Sequence, residues 1–335
     1  MFCTFRRMKR GTMALLLTML ALFGDLPGDA GIAAGMRQPP VQERSSLSAW
    51  ARSKGFAMKL QGDVISLSKG STLVTLQNDS REARINGVQV WLLYPVSRRG
   101  GMIQLANLDL RSTLEPILFP TANRPSPPVH TICLDPGHGG KDSGSQVGFR
   151  LEKRYTLLLA QELRDQLVDA GFRVVLTRTT DTFVDLSDRP ALAKRRGADL
   201  FLSLHYNATD TGAKEVRGAE VYSLTPPGAP STNVQGQGGD SGRFSGNSFD
   251  GLNMFLAYQI QRAIVRDLDV VDRGVHRARF VVLRESTIPA ALIEPGFLSH
   301  PVEGKKLFES SYRRDIAIAI TRAVVAYRKT IQQGA

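Results

Sequence analysis

Four ionisable residues stand at points where regular segments of the chain begin or end. His138 lies in a glycine-rich turn after one apolar run, His205 closes a second run, and Glu294 follows a third. Glu152 opens a segment with helical periodicity. Because ligands in open α/β sheets gather at the carboxyl ends of the strands, we expect these side chains to meet at one edge of a sheet. Residues far apart in the sequence would then share one site.

Two imidazoles, one carboxylate and an open position form a common type of catalytic zinc site. In such a site zinc lowers the pKa of a bound water to about 7 and polarises a carbonyl, while a nearby glutamate takes and returns the proton. Hydrolysis of an amide requires both effects. The pattern therefore favours a metal hydrolase, although the compact motif His-Glu-x-x-His is absent from the sequence.

Each of these residues also has a simpler explanation when it is taken alone. Glu152 could complement the N-terminus of its helix, as early acidic residues often do. His205 could be a buried histidine with satisfied hydrogen bonds, and His138 could be a turn residue. Glu294 is harder to explain in this way, because a carboxylate after a buried strand must be paired or exposed.

The segments that must position these residues alternate between strand and helix patterns from residue 130 onward. Apolar runs of strand length occur at 131–134, 173–177, 200–205, 219–224, 280–283 and 290–293. Amphipathic periodicity predicts helices at 154–170, 252–268 and 312–328, and Gly171 is expected to end the first of them. The alternation predicts an α/β domain over residues 130–330.

The chain has 335 residues, enough for more than this one domain. Residues 45–120 contain short β-prone runs separated by turn signals such as Asn86-Gly87, which predicts a small, mostly-β domain. Residues 121–129 are proline-rich and predict a stiff linker. Residues 226–251 are rich in glycine, serine and proline and predict a mobile surface loop.

Residues 1–34 have the features of a secretory signal peptide. Basic residues precede an apolar run at 14–23, and a small-residue segment follows it. A bilayer span needs about 20 apolar residues, so we expect export to the periplasm or cell wall, with no transmembrane anchor in the mature chain. Cys3 would be lost on export, and we interpret the remaining Cys133 as a packed strand residue without a disulfide partner.

The net charge of +12 comes from 43 Lys and Arg residues against 31 Asp and Glu residues. Removal of residues 1–34 takes away four basic and two acidic residues and leaves +10. Such an excess favours a polyanionic partner, although it could also serve solubility alone. Aromatic residues make up 7% of the chain and form no stacking pattern, which argues against nucleic acid. Together with export, the charge favours an anionic polymer of the cell envelope.

A series of ordered motifs runs from about residue 131 to residue 327. The motifs are Leu134-Asp135-Pro136-Gly137-His138-Gly139-Gly140, Leu151-Glu152-Lys153, Arg178 at a strand end, Leu186-Ser187-Asp188-Arg189, Ser203-Leu204-His205-Tyr206-Asn207-Ala208, Arg217-Gly218-Ala219-Glu220-Val221-Tyr222 and Ile293-Glu294-Pro295-Gly296-Phe297-Leu298-Ser299. In this order and spacing the chain resembles the zinc-dependent N-acetylmuramoyl-L-alanine amidases of the type 3 catalytic family.

The resemblance implies that His138, Glu152 and His205 bind zinc (Zn2+) and that Glu294 is the catalytic glutamate. It implies an α/β fold with a twisted, mostly parallel central sheet flanked by helices. The implied reaction is hydrolysis of the amide between N-acetylmuramic acid and L-alanine in peptidoglycan, in cell-wall remodelling or cell separation. The β-rich block weakly resembles the copper amine oxidase N-terminal-like modules that often precede cell-wall enzymes.

The sequence departs from this family at two points. His300 stands where the family often has Asn, and we assign it no metal role. Some relatives carry a long helix that plugs the site, whereas residues 226–250 lack apolar helical periodicity, so we expect no such helix here; a protein activator could still control access. Two other functions stay open: a non-catalytic peptidoglycan-binding or activator protein, and a zinc peptidase acting within the stem peptide.

Overall fold

An eleven-stranded mixed sheet is the largest sheet among the described residues. The computed structural model describes residues 42–120, 128–210, 212–233 and 242–333. The strands in chain order are β1 (Arg44–Ser46), β2 (Ala57–Gln61), β3 (Val64–Lys69), β4 (Thr72–Gln77), β5 (Glu82–Ile85), β6 (Val88–Trp91), β7 (Ser97–Arg99), β8 (Met102–Ala106), β9 (Thr131–Pro136), β10 (Gln146–Val147), β11 (Arg150–Leu151), β12 (Arg173–Leu176), β13 (Leu200–Leu204), β14 (Ala219–Leu224), β15 (Asp272–Ala278) and β16 (Ala290–Glu294). The large sheet has the order β12-β9-β13-β16-β14-β15-β6-β5-β4-β3-β2.

Helices connect and cover these strands. They are α1 (Leu47–Ser53), α2 (Asn107–Asp109), α3 (Glu115–Leu118), α4 (Glu152–Asp169), α5 (Asp188–Arg195), α6 (Asp250–Leu268), α7 (Val281–Arg284), α8 (Glu303–Leu307) and α9 (Ser310–Gln332). A π-helical turn, Leu110–Leu114, joins α2 to α3, and a 3-10 helix, Ser245–Phe249, precedes α6. The three long helices predicted from periodicity correspond to α4, α6 and α9. Gly171 follows the end of α4 with a positive φ of 82°, as predicted for a helix-ending glycine.

The half of the sheet from β12 to β15 is mostly parallel. Strands β12, β9, β13 and β16 pair in parallel, β14 pairs with β16 in the antiparallel sense, and β14 pairs in parallel with β15. All residues of β9, β13 and β14 are buried, as expected for central strands covered on both faces. The predicted fold class, a mostly parallel α/β sheet with a preceding β-rich region, is confirmed.

One predicted strand is wrong. Residues 280–283 were expected to form a strand, but Val281–Arg284 form the short helix α7, and the strand of this region is β15. Four apolar residues are too few for periodicity to distinguish a strand from a helical turn. Strand β15 was missed because polar residues such as His276 and Arg277 interrupt its apolar pattern, although both are buried.

Apolar side chains cover the parallel strands on both faces. Leu292 and Ile293 are consecutive residues of β16 and therefore point to opposite faces of the sheet. Ile293 joins the larger apolar cluster, which includes residues of α4, α6 and α9. Leu292 joins a smaller cluster with Ala193 of α5 and Val282 of α7. Cys133 is buried in the same smaller cluster, as expected for a packed strand residue.

The N-terminal β-rich block continues the same sheet. Val90 of β6 pairs in parallel with Val275 of β15, which attaches the antiparallel strands β6 to β2 to the α/β half. The Trp91 indole donates to the Arg273 carbonyl at 2.8 Å, and the backbone N–H of Gln89 donates to Asp272 Oδ2 at 2.7 Å. The division into a 45–120 domain, a 121–129 linker and a 130–330 domain stays a prediction, with most of the linker outside the described residues.

The predicted signal peptide, residues 1–34, also lies outside the described residues. Within the described part of the chain, no helix is long and apolar enough to span a membrane. In the predicted loop over 226–251, the described residues 226–233 contain no helix, while residues 245–249 form the 3-10 helix and α6 begins at Asp250. No long site-plugging helix occurs among the described residues of this segment.

Candidate metal centre and catalytic edge

Three of the predicted site residues come together at the carboxyl edge of the parallel strands. His138 follows β9, His205 follows β13, and Glu152 is the first residue of α4. One nitrogen of each imidazole and one Glu152 oxygen all lie within 4.8 Å of one another. The His138 and His205 side chains are 21% and 20% exposed, whereas that of Glu152 is 4% exposed. The two imidazoles are therefore partly open to solvent, whereas the carboxylate is buried.

The spacing of the donors fits a tetrahedral cation. His138 Nε2 lies 3.1 Å from Glu152 Oε1, and His205 Nδ1 lies 3.2 Å from the same oxygen. Ligand atoms bound at about 2.0–2.1 Å to a tetrahedral zinc ion lie about 3.4 Å apart, close to these distances. The two rings lie edge to face, with centroids 4.8 Å apart. Two imidazoles and one carboxylate suit zinc and leave a fourth position for water or substrate.

Hydrogen bonds fix the orientation of the ligands. His138 Nδ1 lies 2.9 Å from Asp142 Oδ2, which orients the ring so that Nε2 faces the donor cluster. Glu152 Oε2 accepts from the Ser145 N–H at 2.9 Å, and Oε1 accepts from the Tyr206 N–H at 3.0 Å. Burial alone would raise the pKa of Glu152, but its hydrogen bonds to His138 and His205 hold that pKa well below its usual value. The carboxylate is therefore ionised and ready to bind a cation.

The turn that carries His138 is strained and strongly supported. His138 has a φ of +61°, in the left-handed region, which costs a non-glycine residue about 1–3 kcal/mol. The Arg189 guanidinium, 1% exposed, donates to the carbonyls of Pro136 and His138 at 3.0 Å each and to Asp135 Oδ1 at 2.8 Å. Arg178 donates to the carbonyls of Pro136 and Gly137 at 3.0 and 2.8 Å. The two arginines hold the backbone in the conformation that presents the imidazole.

Glycine is required where the turn passes the second imidazole. A Cβ on Gly137 would lie 2.3 Å from Cε1 and 2.5 Å from Nε2 of His205, far inside van der Waals contact. The absence of a side chain at this position therefore allows the two metal-binding turns to approach each other.

Glu294 lies beside His205 at the same sheet edge. The backbone N–H of His205 donates to the carbonyl of Ile293 at 3.0 Å, which places the two strand ends side by side. Glu294 Oε2 is buried and has no hydrogen-bond partner among the described residues. Burial, followed by the negative charges of Glu152 and Glu220, raises the pKa of Glu294 well above its usual value. A carboxyl group of this kind can hold a proton and exchange it with a reacting molecule.

Several residues of the site had no role assigned from the sequence. Arg178, Arg189 and Glu220 belonged to recognised motifs, but their hydrogen bonds depend on contacts across the fold. Asp142 had no role assigned either, and its spacing of four residues from His138 was the signal that could have identified it. His300 lies outside the donor cluster, and its Nδ1 accepts from the Glu303 N–H at 3.0 Å.

Comparison with known proteins agrees with this architecture. The Amidase_3 family, described as N-acetylmuramoyl-L-alanine amidase, matches residues 132–326. LytC of Bacillus subtilis is 33% identical over 68% of this chain and 42% of its own length. AmiC of Neisseria meningitidis is 34% identical over 67% of this chain and 58% of its own length. The chain thus spans about half the length of these two relatives.

Solved structures show the same fold. The N-acetylmuramoyl-L-alanine amidase of Clostridium difficile 630 aligns with a TM-score of 0.51 and 33% identity over 61% of this chain and 99% of that chain. The CwlD amidase of Clostridioides difficile, solved in complex with the GerS lipoprotein, aligns with a TM-score of 0.50 and 26% identity over 60% of this chain and 99% of that chain. The fold and the matched residues define an α/β domain of the amidase class. The chain belongs to the type 3 N-acetylmuramoyl-L-alanine amidase family.

Proposed function

We propose that this protein is a zinc-dependent amidase that hydrolyses the bond between N-acetylmuramic acid and the L-alanine of the peptidoglycan stem peptide. The observation that carries the proposal is the arrangement of one sheet edge. His138, Glu152 and His205 present a compact set of metal donors, and Glu294 ends the neighbouring strand with a buried oxygen that has no described hydrogen-bond partner. Family membership supports the proposed substrate class.

His138, Glu152 and His205 would hold the metal in this reaction. When bound, zinc polarises the scissile carbonyl and acidifies a water molecule. Glu294 accepts a proton from the attacking water and delivers it to the leaving nitrogen of L-alanine. Its raised pKa suits this role, because the group must keep the proton long enough to transfer it. Asp142 holds the His138 ring, and Arg178 and Arg189 hold the turn, so the ligands are positioned before substrate arrives.

We also propose that the protein acts outside the cytoplasm, where peptidoglycan lies. The support is the sequence of residues 1–34, with its basic start and apolar run at 14–23. The net charge of +10 that remains after removal of residues 1–34 suits retention near anionic wall polymers. Cell fractionation with N-terminal sequencing of the mature protein tests this. Cell-wall remodelling, cell separation and control by an activator protein stay predictions.

Digestion of purified sacculi by the zinc-loaded protein tests the reaction. Mass spectrometry of the products should show stem peptides with new L-alanine amino termini and an intact glycan strand. Cuts within the stem peptide would instead identify a peptidase, and unchanged sacculi would identify a binding or activator protein. Either result would overturn the proposal.

The Glu294→Gln variant tests the role of the glutamate. We expect hydrolysis to slow about 10²–10⁴-fold, the usual contribution of general acid–base catalysis, while zinc content stays at the wild-type level. Glu215→Gln, at an exposed position, is the matched control and should hydrolyse at the wild-type rate. Wild-type hydrolysis by zinc-loaded Glu294→Gln would show that the proton is carried by another group.

A further inference from the structure

A β-bulge lies beside the catalytic edge, between β14 and β15. Ala219 pairs with Asp272, but the next residue, Glu220, pairs with Gly274, so Arg273 is the extra residue of β15. Gly274 has a φ of +97°, and a Cβ there would lie 2.8 Å from Gln89 Cγ, so glycine permits this bend next to β6. Bulges of this kind redirect a side chain and are enriched next to active sites.

The bulge directs Arg273 toward the carboxylates of the site. Its Nε lies 3.3 Å from Glu220 Oε1, and its guanidinium carbon lies 4.9 Å from the centre of the Phe297 ring. Glu220 stands directly opposite Glu294 on the antiparallel pair β14–β16, so their side chains share one face of the sheet. Arg273 thus lies on the same face as the catalytic glutamate, two strands away along the edge.

One side of the Arg273 guanidinium is left for a ligand. The contacts with Glu220 and Phe297 hold the group in place, while Nη1 and Nη2 make no hydrogen bond within the described part of the chain. The side chain is 36% exposed. Glu220 does not depend on Arg273 alone, because it also accepts from Asn207 Nδ2 at 2.7 Å and from the Tyr222 hydroxyl at 3.1 Å. An arginine that is fixed at Nε and open at both Nη atoms is suited to bidentate binding of a carboxylate.

The distance along the sheet indicates which carboxylate this would be. Adjacent strands lie about 4.8 Å apart, so β15 lies about 10 Å from β16, the strand of Glu294. An extended peptide covers about 3.3–3.6 Å per residue, so a peptide cleaved at Glu294 would place the side chain or carboxyl group of its second residue near Arg273. A stem peptide whose residue after L-alanine is acidic would therefore present a carboxylate to Arg273.

We propose that Arg273 forms a carboxylate-binding subsite for the acidic second residue of the stem peptide. The inference rests on the proposed amidase function and adds a determinant of substrate choice to it. Arg273 binds the leaving peptide and carries no proton in the reaction, so its loss should weaken substrate binding more than turnover.

Paired synthetic substrates test the subsite. N-acetylmuramoyl-L-Ala-D-Glu carries the carboxylates, and its diamide carries none while keeping the same scissile bond. We expect wild type to favour the acidic substrate about tenfold in kcat/KM, a typical effect of one charge-assisted contact. Arg273→Gln should raise KM for the acidic substrate about tenfold, with little change in kcat, and leave the diamide unaffected. Arg273→Lys should keep part of the preference, and Arg99→Gln, at an exposed position on β7, should keep all of it.

Each other outcome has a definite meaning. Two results would overturn the subsite and leave the amidase function standing. One is that wild type hydrolyses both substrates without preference; the other is that Arg273→Gln loses kcat/KM equally on both substrates. Failure of wild type to cleave either substrate, or intact sacculi, would overturn both proposals. Titration of zinc-free protein with L-Ala-D-Glu and with its diamide gives a readout independent of catalysis. Tighter binding of the acidic dipeptide to wild type, lost in Arg273→Gln, supports the subsite, and equal binding of both dipeptides contradicts it.

Discussion

Glu294 lies directly opposite Glu220 across the antiparallel pair of β16 and β14, so two carboxyl groups share one partly buried edge of the sheet. The two groups are held very differently. Glu220 has hydrogen bonds from Asn207 and Tyr222 and an ion pair with Arg273, whereas Oε2 of Glu294 has no hydrogen-bond partner among the described residues. Glu220 is therefore held by three neighbouring groups, whereas burial disfavours negative charge on Glu294 and leaves it free for proton transfer.

This difference predicts that Glu294→Gln stabilises the zinc-free protein at neutral pH. The pKa of Glu294 is raised in the folded state, so from about pH 4.3 upward the unfolded chain releases a proton that the folded chain keeps. Rising pH then favours unfolding, and the neutral glutamine removes this penalty. We expect a melting temperature at least about 2 °C above wild type at pH 7, and a gain that disappears below pH 4. Thermal unfolding across pH measures it, and Glu215→Gln should show no such gain. An equal pH dependence in Glu294→Gln and wild type would contradict the raised pKa.

Asp142→Asn should weaken metal binding. The Asp142 carboxylate orients His138 through the 2.9 Å contact at Nδ1, and loss of such a support typically costs 10–100-fold in metal affinity. Competition with a chromophoric zinc chelator measures the change. Asp165→Asn, whose carboxylate is 62% exposed and pairs with Arg164, is the control and should bind zinc like wild type. Unchanged zinc affinity in Asp142→Asn would show that the protein backbone alone orients the imidazole.

Gly137→Ala should impair the metal centre more than the fold as a whole. The new Cβ would meet the His205 ring at 2.3 Å, so one of the two imidazoles must move away from the donor cluster. We expect zinc affinity to fall at least about tenfold, on the scale of a lost ligand support. Gly251→Ala is the matched control. Gly251 lies within α6, and a Cβ at this position would meet Pro116 at an ordinary 3.8 Å. That substitution should retain zinc binding. Wild-type zinc affinity in Gly137→Ala would show that the two turns can separate without cost.

Arg189→Met should destabilise the folded protein strongly. Removal of one partner from a buried ion pair costs about 3–5 kcal/mol, because the remaining Asp135 charge is left in a buried environment. The strained turn at His138 would also lose a hydrogen bond to its carbonyl. Urea unfolding gives the free-energy change, and Arg195→Met at an exposed position on α5 should change it by less than about 0.5 kcal/mol. A loss below about 1 kcal/mol in Arg189→Met would show that water or a rearranged side chain replaces the guanidinium.

The sequence predicted that the main site residues lie close together, because each of them stands at the end of a predicted strand or the start of a predicted helix. His138, His205 and Glu294 each end a strand-like run, and the carboxyl ends of such strands share one edge. Arg273 could not be identified in this way, since its place depends on a bulge that shifts the register of two strands by one residue. Arg189 was visible in a motif, but its contacts with Asp135 and His138 join residues about fifty positions apart.

The fold was predictable where patterns were long and regular. Helices α4, α6 and α9 carry several turns of apolar periodicity, which fixes their type and approximate ends. Strand β5 shows the limit for short elements, because its alternation covers only four residues, with Ala83 and Ile85 inward and charged residues outward. Strand β15 was missed because Arg277 is fully buried within a polar network, and a hydropathy pattern does not predict burial of an arginine.

The pairing of β6 with β15 has a consequence for shortened forms of the protein. Strand β15 is covered on one side by β14 and on the other by β6, which comes from the N-terminal block. A fragment that begins after residue 120 would leave the backbone groups of β15 as an open strand edge. Such edges recruit strands from other molecules, so this fragment should self-associate or aggregate, whereas protein that retains residues 42–120 keeps the edge closed. The block thus shields the α/β half against intermolecular β-pairing.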